Sequence, residues 1–143
     1  MVYKLNLLFY TIYMKIRIKT TNIKLTPAIE EYVNNKIGGI DKMLGGMNRE
    51  AIKAKVEIGK TSQHHRKGDI FRAEVNLTVP GELLRTEAEE WDLRVAIDQV
   101  KNNLERKIKK YRGKQSAKYK RGARKAKKLL RISPLAWFKK EKK

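Results

Sequence analysis

Few residues in this 143-residue chain have the types and spacing that chemistry requires. His64-His65 is the only histidine pair, and neighbouring side chains on an extended segment point to opposite sides. There is no cysteine, and among carboxylates only Asp69 sits at a ligand-like distance along the chain, so no metal site is expected. Sharing a loop with Lys60, Arg66 and Lys67, the pair is better suited to donating hydrogen bonds to phosphate or to bases. Glu87, Glu89, Glu90 and Asp92 form an acidic cluster that could in principle do acid–base work. Glu90 and Asp92 fall where a helix should begin, however, and the helix dipole favours negative charge there. No GxSxG elbow, phosphate-binding Gly loop or zinc signature occurs. Catalysis thus has no candidate nucleophile, base or metal: neither enzymatic activity nor a cofactor or small-molecule substrate is expected.

The basic residues are different. Lys and Arg number 35 against 15 Asp and Glu, a formal net charge of +20. Such an excess points to a polyanionic partner: nucleic acid, an anionic membrane surface or an acidic protein. The charge is uneven. Residues 14–112 carry 21 basic and 14 acidic residues, whereas residues 113–143 carry 13 basic and one acidic. The absence of cysteine fits a reducing cytosol. The opening stretch MVYKLNLLFYTIYM is apolar but too short to span a bilayer, and it lacks the small-residue cleavage site of a signal peptide. Met14 opens the first well-patterned segment. Residues 1–13 are therefore expected to be an extension upstream of the true start, the alternative being an extra strand.

The elements that must position these cations follow from the apolar pattern. Met14 to Thr20 alternates apolar and basic, as a half-buried strand does. Thr26-Pro27, followed by Glu30 and Glu31, is a helix start. Ile29, Val33, Ile37, Ile40 and Leu44 continue at helical spacing up to Gly45-Gly46, and Gly38-Gly39 predicts a kink or an early end, each Gly weakening a helix interior by about 1 kcal/mol. Strands are expected over Ile52–Ile58, Ile70–Val79 and Leu83–Ala88, the last two joined by the Pro80-Gly81 turn, and the three form an antiparallel meander. A second helix is expected from about Glu90 to about Arg112, with a core stripe of Leu93, Ile97, Val100, Leu104, Ile108 and Tyr111. The order strand, helix, three strands, helix describes an α+β sandwich, a four-stranded sheet with both helices packed on one face. The other sheet face is expected to be solvated and mixed in charge. Residues 14–112 form the domain, and residues 113–143 are read as a basic, mostly disordered arm with a short anchor around Leu129, Leu130, Leu135, Trp137 and Phe138.

On the second helix, Gln99, Asn102, Asn103, Arg106, Lys109 and Lys110 lie opposite the core stripe. That side is cationic, rich in amides and free of acidic residues along the helix, which suits contacts to phosphate and 2′-hydroxyl groups. A merely solvated face is the competing reading. Lys36 and Lys42 add charge from the first helix, while Arg94 and Lys101, beside Asp98 and Glu105, look like ion-pair partners. In the arm, Lys118, Lys120, Arg121, Arg124, Lys125, Lys127 and Lys128 are candidates for RNA contacts.

Three segments, KIRIKTTNIKLTPAIEEYVNNKI, DIFRAEVNLTVPG and DLRVAIDQVKNNLERKIKKYRGK, together resemble the ribosome hibernation promoting factor family, also known as ribosome-associated inhibitor A or sigma-54 modulation proteins. The resemblance covers about Met14 to Lys114. It rests on the TPAI helix start after a strand and on the DLxxAID…LER block, Asp92 to Arg106, in this order and spacing. It implies a β-α-β-β-β-α fold like that of the double-stranded-RNA-binding domain. It also implies binding to ribosomal RNA in the decoding region of the small subunit, where the protein would exclude mRNA and the A- and P-site tRNAs in non-growing cells, and so a cytoplasmic location. Lys36, Lys42, Arg106 and Lys110 are the basic residues that it implicates. Three features depart from the family pattern: Asn103 and Gly39 stand where basic residues are common, the arm is not a dimerisation domain, and it is unusually basic. A short form is therefore expected, monomeric when free, whose arm adds affinity by counterion release. A constitutive structural ribosomal protein, or a general double-stranded-RNA-binding protein, is the alternative.

Overall fold

A computed structural model describes residues 14–61 and 68–132. His64, His65, Arg66 and Lys67, the extension 1–13 and the Trp137/Phe138 end all lie outside the described residues. The elements in order are β1 (Lys15–Thr21), α1 (Pro27–Gly38), two 3-10 turns (Gly39–Leu44 and Arg49–Ala51), β2 (Lys53–Thr61), β3 (Ile70–Val79), β4 (Glu82–Glu90) and α2 (Leu93–Ile132). The described residues fall into two units, divided between Ile108 and Lys109.

In the first unit the four strands form one sheet in the order β1-β2-β3-β4. The β1–β2 pair is parallel, and β2, β3 and β4 form the antiparallel meander. A parallel pair needs a crossover connection, and α1 lies in it. Its start is capped locally: the Thr26 hydroxyl accepts from the Ile29 amide at 3.3 Å, with Pro27 in the first turn. The α-helix ends at Gly38, and the chain tightens into a 3-10 turn from Gly39, as the Gly pair led one to expect. The β3–β4 turn uses Pro80, with φ fixed by its ring, and Gly81 at φ +77°, the pairing that a type II turn needs. β1 and β2 approach closely at Gly59, where a Cβ would come within 2.6 Å of the Thr21 carbonyl oxygen.

The core lies between the sheet and the helices. Ala54, Val56, Ile58, Val75, Leu77 and Leu84 on one sheet face are buried, as are Val33, Ile37, Ile40 and Leu44 and the α2 residues Ala96, Ile97, Val100, Leu104 and Ile108. Thr86, buried on β4, donates its hydroxyl to the Val100 carbonyl at 3.5 Å, so α2 lies on the same sheet face as the core. The α+β architecture expected from the sequence is the one observed.

The largest difference is the length of α2. The sequence predicts an end near Arg112 with a mostly disordered arm beyond; instead the helix runs for 40 residues to Ile132. Glycines 113 and 122 each oppose helix, but the rest of Lys114–Ile132 is dominated by Lys, Arg, Ala, Gln and Leu, all strong helix formers, and the next proline is Pro134. Side-chain composition outweighs two glycines.

Candidate nucleic-acid interface

Asp92 fixes the start of α2: its carboxylate accepts from the Arg94 and Val95 amides at 2.7 and 3.4 Å. That cap, with the buried stripe, sets the rotation of the helix about its axis. Gln99, Asn102 and Arg106 are exposed and Asn103 is half-buried. The two acidic residues of this stretch lie on its flank and are already partnered. Asp98 pairs with Lys36 at 3.1 Å, and Glu105 with Lys101 at 3.2 Å. Thus Lys101 has the ion-pair role that its spacing predicted, whereas Arg94 lies over the Tyr32 ring, 5.5 Å from its centroid.

Strand order adds residues that a helix alone could not show. Asn103, Arg106 and Lys107 line a groove of about 550 Å³ with Arg85, Thr86 and Glu87 of the neighbouring strand β4. Lys107 donates to the Arg85 carbonyl, which pins its stem along the groove. Lys107 and Arg85 are not legible as site residues in the sequence, because only the position of β4 beside α2 brings them to Arg106. The same strand places carboxylates on a side that is acid-free along the helix. Glu87 lies in the groove, and Glu90 accepts from the Gln99 amide at 2.5 Å. Glu87 is itself neutralised. Arg72 donates to it at 2.6 Å, and that hydrogen bond holds its carboxyl below the usual 4.5.

The two candidates near α1 differ. Lys36 is built into a clasp between the helices: the Tyr32 hydroxyl donates to Asp98 at 2.9 Å, and the Lys36 ammonium pairs with Asp98 while lying over the Tyr32 ring. The hydrogen bond to Asp98 raises the Lys36 pKa above 10.5, and partial burial, followed by Asp98, raises that of Tyr32 above 10.0. Lys42 is exposed, beside the buried Asp41 that Arg49 holds at 2.9 Å.

In the second unit, Lys109, Lys110, Lys118, Lys120, Arg121, Arg124, Lys125, Lys127 and Lys128 are all helical and all exposed. From Lys109 to Ile132 there are twelve Lys and Arg and no Asp or Glu. Among the described residues, no group of three or more His, Cys, Asp or Glu is gathered as a metal site would need, and no helix is long and apolar enough to cross a membrane. The arrangement can bind phosphate, by Arg106, Lys107, Arg85 and the amides in the first unit and by the cationic helix in the second.

Comparison with known proteins gives the family and the fold. The family described as "Sigma 54 modulation protein / S30EA ribosomal protein" matches residues 16–116. The ribosome hibernation promotion factor of Lactococcus lactis subsp. cremoris is 32% identical over 107 residues, 73% of this chain and 53% of its own length. That of Bacillus subtilis is 28% identical over 106 residues, 74% and 52% of the two chains. The chain therefore spans about half the length of these curated relatives. Among solved structures, the Thermus thermophilus Protein Y N-terminal domain superposes with a TM-score of 0.58 at 30% identity, covering 68% of this chain and 99% of that one. A ribosomal subunit interface protein from Coxiella burnetii, at 21% identity and a TM-score of 0.54, covers 70% and 99% and shares the fold.

Proposed function

The chain belongs to the sigma 54 modulation protein / S30EA ribosomal protein family, and from that membership we propose that it is a ribosome hibernation factor. It binds ribosomal RNA in the decoding region of the small subunit and excludes mRNA and the A- and P-site tRNAs while cells do not grow. It acts by occupancy rather than by catalysis, in the cytoplasm with its ribosomal partner.

The observation that carries this reading is the exposed side of α2. There Asn103 and Arg106 stand beside Lys107 and Arg85 in one groove, Asn102 is exposed on the same helix, and the nearby carboxylates Asp98, Glu105 and Glu87 already have cationic partners. Paired carboxylates repel an approaching phosphate less than free ones would, so the groove presents its guanidinium and amide donors for RNA contacts. Lys42 in the first unit, and Lys109 and Lys110 in the second, are further candidates for phosphate contacts. The cationic helix beyond them supplies affinity through counterion release, a contribution that does not depend on base sequence. Gln99 and Lys36 act mainly within the protein, through Glu90 and Asp98.

In vitro translation tests this reading. The wild-type chain should inhibit, and Arg106→Glu combined with Lys110→Glu should relieve inhibition. Full inhibition by the double variant would remove the α2 face from the mechanism. Ribosome fractions from growing and starved cells supply the second test. A hibernation factor is enriched on ribosomes in starvation and leaves on regrowth, whereas equal occupancy in both states would mark a structural ribosomal protein.

A further inference from the structure

The outer face of the sheet, away from the core, carries a second pattern of charge. Parallel pairing sets Lys15 beside Lys53 and Arg17 beside Lys55. All four are exposed. These two rows continue across the sheet through Thr78 and Leu83, and through Asn76 and Arg85, so no carboxylate enters either row. The next two rows reverse the rule. Lys19 meets Glu57, Glu74 and Glu87 in one, and Arg72 faces Glu89 in the other. There the charges neutralise each other: Lys19–Glu57 at 3.6 Å, Arg72–Glu74 at 3.0 Å and Arg72–Glu87 at 2.6 Å. Glu74 also reaches Arg85 of the second row at 3.2 Å, so it is the β1–β2 half of the first two rows that has no carboxylate partner.

Like charges placed side by side on neighbouring strands oppose sheet formation. One end of this face avoids that opposition with four glutamates; the other keeps it. Among the described residues no ion pair joins Lys15, Arg17, Lys53 or Lys55 to a carboxylate; the ion pairs of this face gather at its other end. A polyanion laid on the four cations would relieve the opposition.

We propose that Lys15, Arg17, Lys53 and Lys55 form a second RNA-phosphate surface, on the side of the sheet opposite the helices. The first unit then meets RNA on both of its faces. Four cations in a two-by-two array, about 4.8 Å apart between strands and about 6.6 Å apart along them, suit a line of phosphates rather than one anion. The choice of RNA as the polyanion rests on the ribosomal reading above.

Lysine acetylation footprinting, read by mass spectrometry on the full chain, tests this. It should be run free, on purified small subunits and on protein-free small-subunit rRNA. Lys15, Lys53 and Lys55 should lose reactivity several-fold in both complexes, while Lys24, outside the array, changes little. Protection on the subunit but not on protein-free RNA would overturn the proposal in favour of an acidic protein partner. A bound chain with all three lysines still reactive would overturn it and leave the α2 reading intact; a chain that binds neither target would overturn both. Arg17→Gln with Lys55→Gln provides a second readout. If both side chains meet duplex phosphates, the slope of log K against log salt should fall by about 1.8, with a melting temperature at low salt no lower than wild type. An unchanged slope counts against the surface.

Discussion

Arg124→Glu should make the second unit more helical and the protein a weaker RNA binder. Between Lys118 and Arg131 the chain sets like charges four residues apart at Lys120/Arg124, Arg121/Lys125, Arg124/Lys128 and Lys127/Arg131. Each such pair opposes a helix by about 0.2–0.5 kcal/mol, so the four together oppose it by roughly 1–2 kcal/mol at low salt. Gly122 adds about 1 kcal/mol relative to Ala. Arg124 takes part in two of the pairs. Glu at this position turns both attractive, a swing of about 0.4–1 kcal/mol each and about 1–2 kcal/mol together, and Glu preceding Lys128 has the better orientation. Since about 1.4 kcal/mol is tenfold in an equilibrium, the helical population of this segment should rise visibly in far-ultraviolet circular dichroism of the full chain at about 0.01 M salt. Near 1 M, where the screening length falls to about 3 Å, wild type should gain helicity and the difference should close. RNA affinity should move the other way, because a phosphate-binding cation has become an anion. Equal helicity of the two proteins at low salt, or a wild-type signal insensitive to salt, would refute the argument that this helix is held back by its own charge.

Other expectations follow from the first unit. Leu104 is fully buried, so Leu104→Ala should lower stability by about 2–5 kcal/mol in denaturant unfolding. Gly59→Ala should lower the melting temperature, because its Cβ meets the Thr21 carbonyl at 2.6 Å and β1 must shift to admit it. Stability should also fall at both pH extremes. Glu87 is depressed below 4.5 by Arg72, so its contribution is present above that pH and is lost as pH falls through the lower folded value. Lys36 is raised above 10.5 by Asp98, so its contribution is present below that pH and is lost as pH rises through the higher one. Melting temperatures across pH should show both arms, and Asp98→Asn should flatten the alkaline one.

What could be read from the sequence was whatever depends on near neighbours. The alternation of Ile52, Ala54, Val56 and Ile58 gave a strand and its buried face. The spacing of Ile97, Val100, Leu104 and Ile108 gave the buried stripe of α2, and Thr26-Pro27 gave the start of α1. The bounds Ile70–Val79 agree with β3 at both ends. The end of α2 is not legible in the sequence, because Gly113, Gly122 and the dense positive charge of residues 113–132 oppose the helix that Lys, Arg and Ala favour. The site was legible only in part. Arg106 and Asn102 follow from the helix wheel, but Arg85 and Lys107 need strand order. The commitment of Lys36 to Asp98 joins residues far apart in the chain. The sheet's outer face was expected to be mixed in charge. It is mixed as a total, yet register segregates it into a paired end and an unpaired end.

That segregation bears on how a cationic surface should be interpreted in such a protein. A net charge of +20 by itself indicates only attraction to polyanions. The fold shows where this chain spends its few carboxylates: Glu74 and Glu87 on Arg72 and Arg85, Asp98 on Lys36, Glu105 on Lys101. The exposed pairs among these stabilise the isolated protein only modestly. Carboxylates are absent where like charges are brought together by register on β1 and β2 and by helical spacing after Lys118. Two different local geometries, a parallel strand pair and a helix, leave the same conflict unrelieved. A polyanion that relieves it binds the folded form preferentially and so stabilises it by linkage. RNA should therefore raise the melting temperature of the wild-type chain more than that of a chain carrying both Arg124→Glu and Lys55→Glu, although the variant starts from the more stable state. An equal increase in the two proteins would mean that these cations only colour the overall field and do not meet the RNA.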